Sequence, residues 1–171
     1  MILNVPGLRN SGPNHWQTQW EQAYPEYFSR AHQQDWDRPT ADHWIPSLIA
    51  AVGKIKPRIL VGHSVGCATI VHALPQLESE ISMVVLVAPS DVDHPDYPDY
   101  ISGFAPLPLK PLPCSSVVVA SDNDHVVSLE RAVYFAGCWR SKFEVVPNAG
   151  HLEKPWEGST TMLSDLIKLV N

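Results

Sequence analysis

The chain has 171 residues, 44% hydrophobic and 18% charged, which is apolar enough to bury a core and excludes a disordered polymer. That length suits one domain over residues 1–171. The formal net charge of −6, with no clustered Lys or Arg, speaks against a nucleic acid or an anionic membrane as partner.

Met1–Val5 reads as a buried strand, broken at once by Pro6-Gly7. Phe28–Gln33 is a weaker strand, followed by the polar run Gln34-Asp35-Trp36-Asp37. Trp44, Leu48 and Val52 recur at helical spacing beside Ile45 and Ile49. Thr40 or Asp42 can cap that helix, and Pro46 implies a late start or a kink. Arg58–Gly62 and Met83–Ala88 are strong apolar strands. Residues 89–113 break the rhythm with seven of the 16 prolines and the run Asp91, Asp93, Asp96, Asp99. They read as a long loop. Ser116–Ala120 is the next strand, and Ser128 caps a helix through Ala136 that Gly137 can end. Phe143–Val146 is the last strand. Met162, Leu163, Leu166, Ile167, Leu169 and Val170 then form a helical apolar face, with Ser159 or Thr160 as its cap.

Strands with no polar alternation are covered on both faces, so the alternation of strand and helix predicts a doubly wound α/β domain. Cys67, Cys114 and Cys138 are odd in number and irregular in spacing, which fits reduced thiols and a cytoplasmic setting rather than a disulfide framework or zinc site. The start of the chain has no basic segment followed by a long apolar one, so no secretory signal is expected. No apolar run approaches membrane-spanning length.

Gly62-His63-Ser64-Val65-Gly66 is a G-x-S-x-G motif between a predicted strand and a predicted helix. Such a turn strains the serine backbone, exposes its hydroxyl at a strand end and aims the Val65 amide at the same space. His151, in Asn148-Ala149-Gly150-His151, follows the last strand and is the candidate base. The acid must lie between them in chain order, and Asp124 in Ser121-Asp122-Asn123-Asp124 is favoured over Asp122, which could instead structure the turn. The second oxyanion donor is expected after the first strand, where Gly7 permits a tight turn and Leu8 offers its amide.

Three residues are candidate pocket walls: Trp16, against the commoner role of a core tryptophan, and His63 and His125, which flank the serine and the acid. Asp91, Asp93, His94, Asp96 and Asp99 read as a solvated loop rather than a metal site, and Cys67 as a small buried residue. No metal or organic cofactor is expected.

The segments VPGLRNSGPNHWQTQWE, QQDWDRP, VGHSVGCATIVHAL, VVLVAPSD, SDNDHVVSLERA and NAGHLE together resemble the small α/β-hydrolases of the retinoblastoma-binding-protein-nine and YdeN type, along nearly the whole chain. The resemblance implies the α/β-hydrolase fold, here a compact three-layer sandwich with a mostly parallel sheet of about six strands and no large lid. It implies a serine hydrolase with esterase- or aminopeptidase-like activity whose natural substrate is poorly defined across the family. A small-molecule or peptide substrate and a monomer or small homo-oligomer are expected. The family triad falls on Ser64, Asp124 and His151. Two departures stand out. Many larger relatives carry His-Gly where this chain has Pro6-Gly7. The retinoblastoma-pocket motif L-x-C-x-E is absent, since Leu112-Pro113-Cys114-Ser115-Ser116 lacks the Glu. The competing expectation is a partner-binding protein that keeps the fold without catalysis.

Overall fold

The apolar runs become the strands of one sheet in a computed structural model that describes residues 1–78 and 80–171. The elements are β1 (Ile2–Val5), α1 (Trp16–Ala23), β2 (Phe28–Arg30), α2 (Ala41–Ile55), β3 (Ile59–His63), α3 (Val65–Ala73), β4 (Met83–Val87), β5 (Ser115–Ser121), α4 (Leu129–Trp139), β6 (Lys142–Val146) and α5 (Ser159–Val170). All neighbouring strands pair in parallel in the order β2-β1-β3-β4-β5-β6.

Successive strand residues point to opposite faces, and both faces are dry. Leu3, Leu60, Val84, Leu86 and Val118 meet Trp44, Leu48 and Val52 of α2, Ile70 of α3 and Phe135 and Trp139 of α4. Ile2, Ile59, Val61, Val85, Val117 and Val119 meet Trp16 and Trp20 of α1 and Leu163 and Leu166 of α5. The result is the three-layer sandwich with the expected number of strands. The chain leaves β1 toward β2 on one side and enters β3 on the other, so the strand order reverses between β1 and β3. Loops diverge there and open a crevice at the C-terminal strand ends.

Several boundaries differ from the sequence expectation. β2 ends at Arg30, with one more bond from the Ala31 N–H to the Asn4 carbonyl. The helix α2 starts at Ala41 and runs through Pro46, so there is no late start. Thr40 is its N-cap by position, and the Ala41 N–H bonds the Ser102 carbonyl. The helix α4 does begin after Ser128, whose hydroxyl accepts from the Arg131 N–H, but it passes Gly137 and ends on left-handed Arg140. The extra turn buries Trp139, stacked on Phe135 with its Nε1–H donated to the Pro108 carbonyl. The helix α5 is capped by neither Ser159 nor Thr160. Gly158 holds the N-cap at φ 90°, where a side chain would be strained. The strand β6 is a sheet edge, with Lys142, Glu144 and Val145 exposed, rather than a buried strand. No helix among the described residues is long and apolar enough to cross a membrane.

Candidate active site

The strand β3 runs straight into α3 through Ser64, which sits at φ 55°, ψ −128°, a conformation that costs a non-glycine residue on the order of 1–3 kcal/mol. The sequence permits it through its flanking glycines. A Cβ on Gly66 would collide with the Val5 carbonyl oxygen, and one on Gly62 would lie 2.8 Å from Ile70 Cδ1. The Ser64 N–H donates to the Val87 carbonyl at 3.0 Å, which ties the turn to β4. Val65 is the first residue of α3, so its N–H has no partner within the helix. The helix N-terminus thus presents an amide and a partial positive charge beside the serine hydroxyl.

His151 Nδ1 lies 2.8 and 3.1 Å from the two oxygens of Asp124. The carboxylate side chain is fully buried and the imidazole nearly so. The loops that carry them are zipped together. The Ala149 N–H donates to Ser121 Oγ at 2.9 Å, the Asn148 N–H to Asp122 Oδ1 at 2.7 Å and the Gly150 N–H to Asn123 Oδ1 at 2.7 Å. The two aspartates therefore divide the work: Asp124 meets the imidazole, and Asp122 shapes the turn.

The loop after β1 passes over Ser64. A Cβ on Gly7 would lie 2.8 Å from Ser64 Cβ and 2.9 Å from the His63 carbonyl oxygen. Half-buried Leu8 lines the crevice, and among the described residues its N–H donates to no other group. Arg9 and Asn10 follow, both left-handed at φ 61°.

Of the candidate pocket walls, Trp16 is fully buried and absent from the crevice lining. It packs against Trp20 and Trp156 and donates its Nε1–H to the Leu152 carbonyl at 2.8 Å, so it braces the residue after His151. His63 borders the crevice but is 6% exposed, and its Nε2 lies 2.8 Å from the His151 carbonyl oxygen. A carbonyl can only accept, so Nε2 carries the proton. His125 is exposed on the rim, its ring 6.0 Å from that of His151.

His15 completes a histidine cluster, its ring 4.7 Å from that of His63. His15 is the N-cap of α1, its Nδ1 accepting from the Gln17 N–H. Burial, with help from Arg30 and His151, lowers its pKa from the usual 6.5 to about 4. Burial also pushes His63 well below its ordinary value, aided by His151 and His15. Both rings are thus neutral beside His151 at neutral pH. Burial raises the Cys67 thiol too, and its Sγ faces the Val87 carbonyl.

Residues 89–113 are not simply solvated. Asp91 is buried and takes a two-pronged contact from Arg131, at 2.7 Å from Nε and 2.8 Å from Nη2. Asp93 accepts from the Leu107 N–H. Ser90 is 1% exposed, and its Oγ lies 3.1 Å from Ser64 Oγ. Sequence reasoning missed Ser90, the Asp91–Arg131 pair and the buried His15, because each matters only through a partner distant in sequence. The crevice has a volume of about 940 Å³. It lies between residues 8–15, the 94–101 stretch and residues 124–131.

A family model described as "Serine hydrolase" matches residues 2–161. The chain belongs to the serine hydrolase family. Among solved structures, this hydrolase is similar to a protein of Pectobacterium atrosepticum described as a YdeN-like hydrolase. The two share 31% identity over 99% of this chain and 91% of the other, with a TM-score of 0.83. It is also similar to the ydeN gene product of Bacillus subtilis, at 17% identity, 98% coverage of each chain and a TM-score of 0.77. The esterase domain of a Rhodothermus marinus protein shares 14% identity over 99% of this chain and 84% of its own, with a TM-score of 0.69. The last two likenesses concern fold. No curated protein matches the chain in sequence. Together these place the chain with the small YdeN-type α/β serine hydrolases.

Proposed function

We propose that this hydrolase cleaves small esters or amides by acyl transfer through Ser64, His151 and Asp124. The observation that carries the reading is the strained Ser64 at the head of α3, facing a crevice that also holds the buried His151–Asp124 pair. His151 takes the Ser64 proton as Oγ bonds to the acyl carbon, and the imidazolium returns it to the departing alcohol or amine. Asp124 fixes the Nδ1–H tautomer and balances the transient charge. The Leu8 and Val65 amides receive the oxyanion. Water, deprotonated by His151, then releases the acid and restores Ser64. In the resting molecule Ser64 Oγ bonds Ser90, so the hydroxyl turns toward His151 as the reaction starts.

A crevice of about 940 Å³ falls within the range of small-molecule sites. The esterase domain among the structural neighbours supports an ester as the first substrate to test. The free thiols of Cys67, Cys114 and Cys138 suit a reducing cytoplasm.

A fluorophosphonate probe tests the reading. Wild type should label and hydrolyse short-chain esters or aminoacyl amides, and Ser64→Ala should do neither while keeping its fold. A folded wild type that never labels would sink the proposal and favour the partner-binding alternative.

A further inference from the structure

The oxyanion loop adopts a shape its own sequence disfavours. Arg9 and Asn10 are consecutive left-handed residues; for Arg9 that conformation costs roughly 1–2 kcal/mol, while Asn10 eases it by accepting the Ser11 N–H. Gly12, Pro13 and Asn14, further along, are exposed and add no buried anchor. Something outside the loop must hold it in place over Ser64.

We infer that Arg30, at the end of β2, is a positioning residue for the oxyanion loop; the inference rests on the acyl-transfer reading above. Its guanidinium is fully engaged. Nη1 donates to Asn10 Oδ1 at 2.9 Å and to the Ser11 carbonyl at 3.0 Å, both on the loop. Nη2 donates to Thr18 Oγ1 at 2.6 Å, and Thr18 in turn donates to the same Ser11 carbonyl. Nε lies 3.0 Å from each Glu21 oxygen, and Nη2 lies 2.8 Å from Glu21 Oε2. Glu21 also accepts from Asn4 Nδ2 on β1. The side chain of Arg30 is only 13% exposed.

The two ends of this fork do different jobs. Glu21 and Thr18, on α1, hold the guanidinium plane in place. The Nη1 donors then fix the two residues that follow Leu8 and Arg9. A second tie supports the same stretch: Ser11 Oγ donates to Gln17 Oε1, and Gln17 Nε2 donates to the Val61 carbonyl on the nucleophile's strand. The Leu8 amide is thereby set against Ser64 by planar, two-point hydrogen bonding, which a lysine ammonium cannot reproduce.

The test compares Arg30→Lys and Asn10→Ala with wild type, each normalised to the active-site fraction titrated by the fluorophosphonate probe. Arg30→Lys keeps the charge opposite Glu21 and loses the fork; Asn10→Ala removes the loop-side acceptor of Arg30, together with its bond from the Ser11 N–H, at a left-handed position. The expected result is a kcat lowered about 10- to 100-fold in Arg30→Lys, about a tenth of the loss from removing an oxyanion donor outright because the donor is displaced rather than deleted, with KM within about twofold. Asn10→Ala should fall the same way by a smaller factor, and the double variant should be no worse than Arg30→Lys alone. Amide hydrogen exchange over residues 8–11 should quicken in Arg30→Lys. A kcat within twofold of wild type, or a lowered melting temperature as the sole effect, would overturn the inference. The exchange arm separates the two readings. If wild type turns over no substrate, acyl transfer fails, and unchanged exchange over residues 8–11 would independently dismiss the clamp.

Discussion

Gly7 shows how closely the site is built at the scale of single atoms. A methyl group there meets Ser64 Cβ at 2.8 Å and the His63 carbonyl at 2.9 Å, so either the loop or the elbow must give way. Both carry proposed reacting groups, so the cost should appear in rate before stability. Gly7→Ala should lower kcat by about 10-fold or more, through displacement of an oxyanion donor. Steady-state kinetics beside a thermal melt will check it, and an unchanged kcat would show that the loop position does not matter. At this scale the sequence revealed much. The placement of Ser64 at a strand-to-helix turn and of His151 beside Asp124 was legible, because a strand-end motif and chain order constrain them. Trp16 was misread as a candidate wall, because composition cannot say which face of a helix a tryptophan occupies. Arg30 and Ser90 were invisible and Asp91 was read as solvated, since a lone Arg after a weak strand or an acid in a Pro-rich run carries no pattern until its partner is in place.

The strands and most helices were legible at the level of elements, because six apolar runs and two clear helical periodicities leave few alternatives. The helix α1 was not foreseen, although Trp16 and Trp20 stand one turn apart; eight residues are too few for periodicity to show. Helix ends were the weakest reading. Burial of Trp139 carried α4 past Gly137, and a left-handed glycine rather than a hydroxyl began α5. In α2, Pro46 sits six residues in and is exposed, so the Asp42 carbonyl loses its helical donor. Pro46→Ala restores that bond with no change in core volume. It should stabilise the fold by about 1–2 kcal/mol, less than the full interior proline penalty because the unfolded chain also gains freedom. A rise in the urea midpoint at constant slope will measure this; a fall would mean that the proline ring packs usefully.

For the whole molecule, the reversal of strand order between β1 and β3 explains why the proposed oxyanion loop and nucleophile share one crevice, and β5 and β6 bring the proposed acid and base from the other side. The same convergence buries His15 and His63, which makes stability pH-dependent. Unfolded histidines protonate near pH 6.5, whereas His15 in the fold resists protonation until about pH 4 and His63 also falls well below its usual value. Arg30 and His151 face His15, and His15 and His151 face His63, so every charged neighbour pushes in the same direction. Between those limits the unfolded chain binds protons that the native one does not, so stability is full above about pH 6.5 and drains as pH falls. His15 alone should cost on the order of 2 kcal/mol by pH 5. Urea midpoints at pH 7.5 and 5 will test it, with His15→Asn expected to flatten the slope.

The zip between residues 121–124 and 148–151 has a consequence for how such a site can change over time. Four consecutive side chains of one loop meet four consecutive residues of the other, so β5, α4 and β6 carry the proposed acid and base as a preassembled cassette. Single-residue insertions or deletions in either loop would shift every partner at once and silence the site, even where the sheet tolerates them. The exposed crevice rim at His94, Asp96 and Tyr100 meets no such lock. Substitutions on that rim can therefore change what the crevice admits while the cassette stays whole.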